Sequence, residues 1–176
     1  MIEPAQATNS GNKIEVLEFF FYGCSHCFHL HPELTAWERK IPKDVELVYV
    51  PTIFNASWEP MAYTYYALEV LGKNNELHNA LFDAWNVSNI NLSDESKISA
   101  FVVKHGVDSQ KFSAAYRSFG VQSKIMRSKQ LTQAYGIRGT PTIIVDGKYL
   151  ITGLQPAEAI RVMTELIDKV RKERKH

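Results

Sequence analysis

The run Val16-Leu17-Glu18-Phe19-Phe20-Phe21-Tyr22-Gly23-Cys24-Ser25-His26-Cys27 decides how this chain is read. Its first half is apolar and of strand length. Alternation puts Ile14, Val16, Glu18 and Phe20 on one face and Leu17, Phe19 and Phe21 on the other, so Ile14 to Phe21 reads as a central strand covered on both sides. Its second half holds the only 2 cysteines of 176 residues and leads into Phe28 to Ile41, which reads as a helix. A dithiol at a strand-to-helix junction suits redox work. A helix N-terminus presents unpaired N–H groups and a positive dipole end, and both favour a thiolate over a thiol. The thiolate is the nucleophile of disulfide exchange.

Composition narrows the field. With 176 residues and 45% hydrophobic content, the chain suits one compact unit with room for an inserted subdomain. The 20 basic and 19 acidic residues leave a net charge of +1, so no nucleic-acid partner is expected. No apolar run approaches the roughly 18 residues that span a bilayer. Met1-Ile2-Glu3-Pro4 lacks the basic start and apolar stretch of a signal peptide, so the chain reads either as a cytosolic protein or as a mature form with a new start methionine. Gln6 to Lys13 is small and polar and reads as the loose leader of an exported mature domain. Two cysteines cannot build a disulfide framework, and closing so short a loop constrains the unfolded chain little. Reactivity is the better reason for the pair.

The rest of the chain falls into three parts, 14–59, 60–136 and 137–176. In the first, Val45 to Val50 is a second strand, which a helical crossover would set parallel to the first. Pro32 should kink the helix between them. The middle part is helical: Met61–Leu71, Glu76–Trp85, a helix capped by Ser93 and running to Lys104, Ser109–Arg117 capped by Asp108, and Val121–Tyr135. The last part returns to strands. Thr142 to Val145 and Tyr149 to Ile151 flank Asp146-Gly147, a strong signal for a type I′ hairpin. Gln155-Pro156 starts a final helix with an apolar stripe of Ile160, Met163, Ile167 and Val170 and a solvated basic end, Arg171 to His176.

Two motifs make a resemblance specific. Glu18-Phe19-Phe20 leading to Cys24-Ser25-His26-Cys27, followed much later by Gly139-Thr140-Pro141-Thr142 before a strand, resembles the DsbA-type thiol-disulfide oxidoreductases. The likeness extends to the helical segment between the motifs and so covers nearly the whole chain. It implies an α/β, thioredoxin-like fold with an inserted all-helical domain. It also implies a protein-disulfide oxidoreductase that introduces disulfides into unfolded, exported proteins, without a cofactor. Such a protein works in the periplasm as a monomer and is reoxidised by a quinone-linked membrane reductase of the DsbB type.

Site roles follow from position and from the resemblance together. Cys24, at the helix N-terminus, is the expected attacking cysteine, and Cys27, one turn in, the buried resolving one. His26 places an N–H or a positive charge near the Cys24 sulfur, which lowers its pKa and makes the disulfide more oxidising. A zinc site built from Cys24, Cys27, His26, His29 and His31 is not expected, because five groups within eight residues of one helix cannot converge on a tetrahedral ion. His29 and His31 read as ordinary helix residues. Glu18 matches the family's acid beneath the active site, a candidate proton relay for the buried thiol; an edge position reaching water is its plainer reading. The family's usual lysine partner for this acid is absent from Val45–Val50. Thr140-Pro141 is expected to be a cis bond whose loop binds extended substrate.

Two departures bear on the direction of electron flow. Threonine at 140 is common in isomerases and reductases of the superfamily, and serine rather than proline stands at 25. An isomerase or reductase is therefore the alternative enzyme, although the segment before Ile14 is too short for the dimerisation domain that isomerases carry. A peptide-binding chaperone module with structural cysteines is the non-enzymatic alternative.

Overall fold

Strand β1, Ile14–Phe20, is buried along all 7 residues, as its two apolar faces require. The computed structural model describes residues 1–175 and arranges four strands in the order β2-β1-β3-β4, with β2 Val45–Pro51, β3 Thr142–Val145 and β4 Tyr149–Thr152. β3 runs antiparallel to β1, setting Val16 opposite Val145 and Glu18 opposite Ile143. β4 returns antiparallel along β3. Between them, Asp146 and Gly147 have φ of 52° and 67°, the positive pair that a type I′ turn needs.

Two helices close the sheet face that carries Ile14, Val16, Ile143 and Val145. One is α1, Ser25–Glu38, which contributes Leu30 and Leu34. The other is α7, Pro156–Glu173, which contributes Ala159, Met163, Ile167 and Val170. The buried stripe of α7 thus starts on Ala159, and Ile160 sits half-buried at its flank. Both pack against this core, the alanine fully buried and the isoleucine partly so. On the opposite face, Phe19 meets Tyr135 edge-on with ring centroids 6.0 Å apart.

Helices fill the middle of the chain: α2 Glu59–Val70, α3 Asn74–Asn86, α4 Glu95–Lys104, α5 Ser109–Tyr116 and α6 Phe119–Ala134. Asp94 caps α4, accepting the Lys97 N–H at 2.9 Å, and Asp108 caps α5 through Lys111 N–H at 2.8 Å. The expected cap Ser93 stands one residue too early, and its own N–H bonds back to Asn91. The Tyr66 hydroxyl is 2.7 Å from Ser128 Oγ inside this helical layer, and burial pushes its pKa up to about 12.

The chain forms two compact units. One comprises Met1–Phe20, His26–Val50 and the residues from Gln133 onward; the other comprises Phe21–Ser25 and Pro51–Thr132. The first is a thioredoxin-like α/β unit and the second is all-helical, giving a thioredoxin-like fold with an inserted helical domain. Among the described residues no helix is long and apolar enough to cross a membrane. His176, the last residue of the basic helix end, lies outside the described residues.

The leader is not loose. Ile2 N–H bonds to Lys148 O at 2.7 Å and Gln6 N–H to Gly147 O at 3.0 Å. A Cβ on Gly147 would run into the Gln6 carbonyl. Further along, Asn9 N–H and Ser10 Oγ donate to buried Glu15 at 2.8 and 3.0 Å. Arg174 donates to Asn12 O, Lys13 O and the buried Asp146 carboxylate. The leader's polar side chains and backbone are used as hydrogen-bonding partners, which composition alone does not report.

Candidate active site

Cys24 stands immediately before the first residue of α1 and is half-buried. The helix begins at Ser25, three residues earlier than the sequence suggested, so Cys27 falls in the first turn and is fully buried. The first-turn N–H groups of a helix have no acceptor within it and carry the positive end of its dipole. A sulfur on the residue just before that turn is placed to benefit. Cys24 is thus the more accessible thiol and Cys27 the buried one.

The turn preceding Cys24 is shaped by the helical unit. Cys24 N–H donates to Phe21 O at 3.0 Å, closing the turn. The Phe21 ring stacks on Trp58 at 3.9 Å and 8°, and Trp85 leans against it at 5.9 Å. Gly23 lies under that ring, and a Cβ there would meet Phe21 Cε1 at 2.5 Å. Buried Tyr22 places its hydroxyl 2.7 Å from His78 Nδ1. Its carbonyl accepts from Asn86 Nδ2 at 2.8 Å. None of these supporting residues announces itself in sequence, because each lies 37 to 64 positions away from the residue it holds, as with the 64 between Tyr22 and Asn86.

Within the thioredoxin-like unit, a groove of about 640 Å³ has His26, Thr140 and Pro141 on its walls. Leu30, Ile143 and Ile151 give it an apolar base, and the loop from Thr152 to Pro156 forms another side. The Thr140-Pro141 bond is cis, and Thr142 Oγ donates to Gly139 O at 2.8 Å across the same loop. His29, read as an ordinary helix residue, is exposed and lines this groove one turn after His26. That placement, like the part played by Gly153 to Gln155, follows from how the β4–α7 loop sits against α1. Only the i, i+3 spacing of the histidines hinted at it.

Glu18 is 2% exposed on an inner strand, which rules out the edge position open to water. It faces Ile143 across the β1–β3 ladder, two residues beyond Pro141. Directly opposed residues in such a ladder have Cβ atoms about 5 Å apart. The acid is thereby held against the strand that the cis-proline loop enters. His31 is buried in α1, with Nδ1 3.4 Å from Thr35 Oγ1. No cluster of three or more His, Cys, Asp or Glu suited to a metal ion occurs among the described residues.

A thioredoxin-like sheet, a CxxC at the start of its first helix and a cis-proline loop define a thiol-disulfide oxidoreductase. Residues 43–163 match the family model for the DSBA-like thioredoxin domain. The chain is 37% identical over 175 residues to the thiol:disulfide interchange protein DsbA of Bordetella parapertussis, covering 97% of this chain and 83% of that one. It is 35% identical over 162 residues to the protein of the same name from Pseudomonas aeruginosa, covering 90% of this chain and 77% of that one. The crystal structure of Pseudomonas aeruginosa DsbA superposes with a TM-score of 0.95 at 32% identity, covering 99% of this chain and 93% of that one. The oxidoreductase NmDsbA1 of N. meningitidis gives 0.89 at 28% identity, covering 99% and 92%. The chain belongs to the DsbA family.

Proposed function

We propose that this oxidoreductase introduces disulfides into exported proteins through Cys24 and Cys27, with Cys24 as the attacked and attacking sulfur. The observation that carries the assignment is the contrast between a half-buried Cys24 just before α1 and a fully buried Cys27 inside its first turn. A substrate thiolate attacks Sγ of Cys24 in the enzyme disulfide. The Cys24–Cys27 bond breaks, and Cys27 leaves with the electron pair and takes a proton. A second substrate thiolate then attacks the substrate sulfur of the mixed disulfide, and Cys24 leaves as a thiolate. Two electrons pass from the substrate dithiol to the enzyme dithiol.

The remaining residues take supporting parts in this reading. His26 stabilises the Cys24 thiolate, which makes the enzyme disulfide more oxidising. Glu18, buried opposite Ile143, relays the proton that Cys27 gains. Thr140 and Pro141 bind the extended substrate backbone along the groove wall. Residues 14–59 and 137–176 are the two halves of the catalytic domain, and 60–136 is its insertion. The protein acts as a monomer in the periplasm and returns its electrons to a quinone-linked membrane reductase of the DsbB type.

Cys24→Ser should abolish oxidation of a dithiol peptide while circular dichroism stays that of the parent. Retained activity would move the nucleophile elsewhere. A reduction potential near thioredoxin's, about −270 mV, would contradict the oxidising direction.

A further inference from the structure

We infer that Asn86 is a positioning residue for Cys24, acting through the Tyr22 carbonyl; this rests on Cys24 being the reactive thiol. Asn86 is the last residue of α3, and its Nδ2 donates to both Tyr22 O and Phe82 O at 2.8 Å. One side-chain amide thus joins the end of α3 to the turn that delivers Cys24. The peptide between Tyr22 and Gly23 is fixed at its carbonyl by Asn86. The next closure, Cys24 N–H to Phe21 O at 3.0 Å, fixes the cysteine's own amide. Gly23 between them lies against the Phe21 ring, and that ring, stacked on Trp58 at 3.9 Å, has little room to swing away. The two residues before α1 therefore have few ways to move while the Asn86 bond stands.

Electrostatic stabilisation of a thiolate at a helix start falls off steeply with misalignment, because it is confined to the first turn. Freeing the Tyr22 carbonyl lets the turn librate and weakens that alignment. The charged form of Cys24 is the form that suffers. Asparagine suits the role because its short amide offers two N–H donors in fixed geometry, whereas aspartate offers only acceptors. Here the acceptors to be met are two carbonyls.

The experiment titrates the Cys24 thiolate by its ultraviolet absorbance in the reduced protein and measures the equilibrium with glutathione. Asn86→Ala should raise the Cys24 pKa by roughly half a unit, about a threefold loss of thiolate below that pKa, and should make the disulfide less oxidising to a similar degree. Asn86→Asp should move both quantities in the same direction. Asn86→Gln, which keeps the amide, should recover part of the loss. Tyr66→Phe supplies the control for simple loosening of the helical unit: it breaks the buried bond to Ser128 and should lower the unfolding midpoint without moving the Cys24 pKa. Unchanged titration in Asn86→Ala and Asn86→Asp, or an equal shift in Tyr66→Phe, would overturn the inference. A parent Cys24 pKa near 8.5 would instead count against the activated nucleophile itself, so the two failures are separable.

Discussion

Two tight turns in this chain are held in opposite ways. The hairpin turn at Asp146-Gly147 takes its shape from its own two residues, both at positive φ, and the strap at Ile2 and Gln6 adds bonds to a turn already set. The turn Phe21-Tyr22-Gly23 before Cys24 has no such local signature. Trp58, His78, Trp85 and Asn86 hold it, all from later in the chain. The structural turn is written where it occurs, and the reactive one is written elsewhere. A turn encoded at a distance takes its shape from residues of the helical unit, so substitutions there should be felt at the turn without touching the CxxC.

The sharpest way to break the contrast is Phe21→Ala. It removes the ring that stacks on Trp58 and covers Gly23, and should cost about 3 kcal/mol, read from urea unfolding. It should also slow thiol exchange, since the reactive turn loses its cover. A stability loss with unchanged exchange would show that the turn keeps its shape unaided. Gly147→Ala should cost about 2 kcal/mol, because alanine resists a φ of 67° and its Cβ meets the Gln6 carbonyl. Exchange rates should not change, as the damage is confined to the structural turn.

Smaller effects are expected from acid. Arg171 hydrogen-bonds Asp44 through Nε at 2.6 Å and lowers its pKa, with burial opposing. A carboxylate with a lowered folded pKa contributes stability that is complete above its unfolded value of 3.8 and is lost as pH falls below it. Asp44 is 51% exposed, so Asp44→Asn should reduce stability by under about 1 kcal/mol at neutral pH and by nothing near pH 2. Equal losses at both pH values would mean that the pair is not the source.

What could be read from the sequence was periodic or local. β1 showed in its two apolar faces, the hairpin in Asp146-Gly147, and α7 in its stripe. The CxxC and Thr140-Pro141 stood out as short motifs. Errors arose where neighbours were chemically alike. Ser93 and Asp94 both cap helices well, and only the geometry of Lys97 N–H selects Asp94. Ile160 and Ala159 both pack on the core, yet hydropathy singles out only the isoleucine, although the alanine is the more buried. Glu15 gave no sign that it would be buried, because its stabilising donors come from Asn9 and Ser10 in a leader that looked unstructured. The groove wall added by His29 and the β4–α7 loop likewise depends on tertiary placement, which no local pattern encodes.

The strap formed by residues 2 to 13 bears on how the molecule ages outside a cell. A protease needs an extended, detachable backbone, and here Ile2 and Gln6 are already committed to the hairpin turn while Asn12 and Lys13 are grasped by Arg174. Trimming must first peel the strap away, exposing Glu15 and Asp146, two carboxylates now sheltered from water. The strap thus acts as a seal over the hairpin end of the sheet, and what it shelters is charge rather than the dithiol.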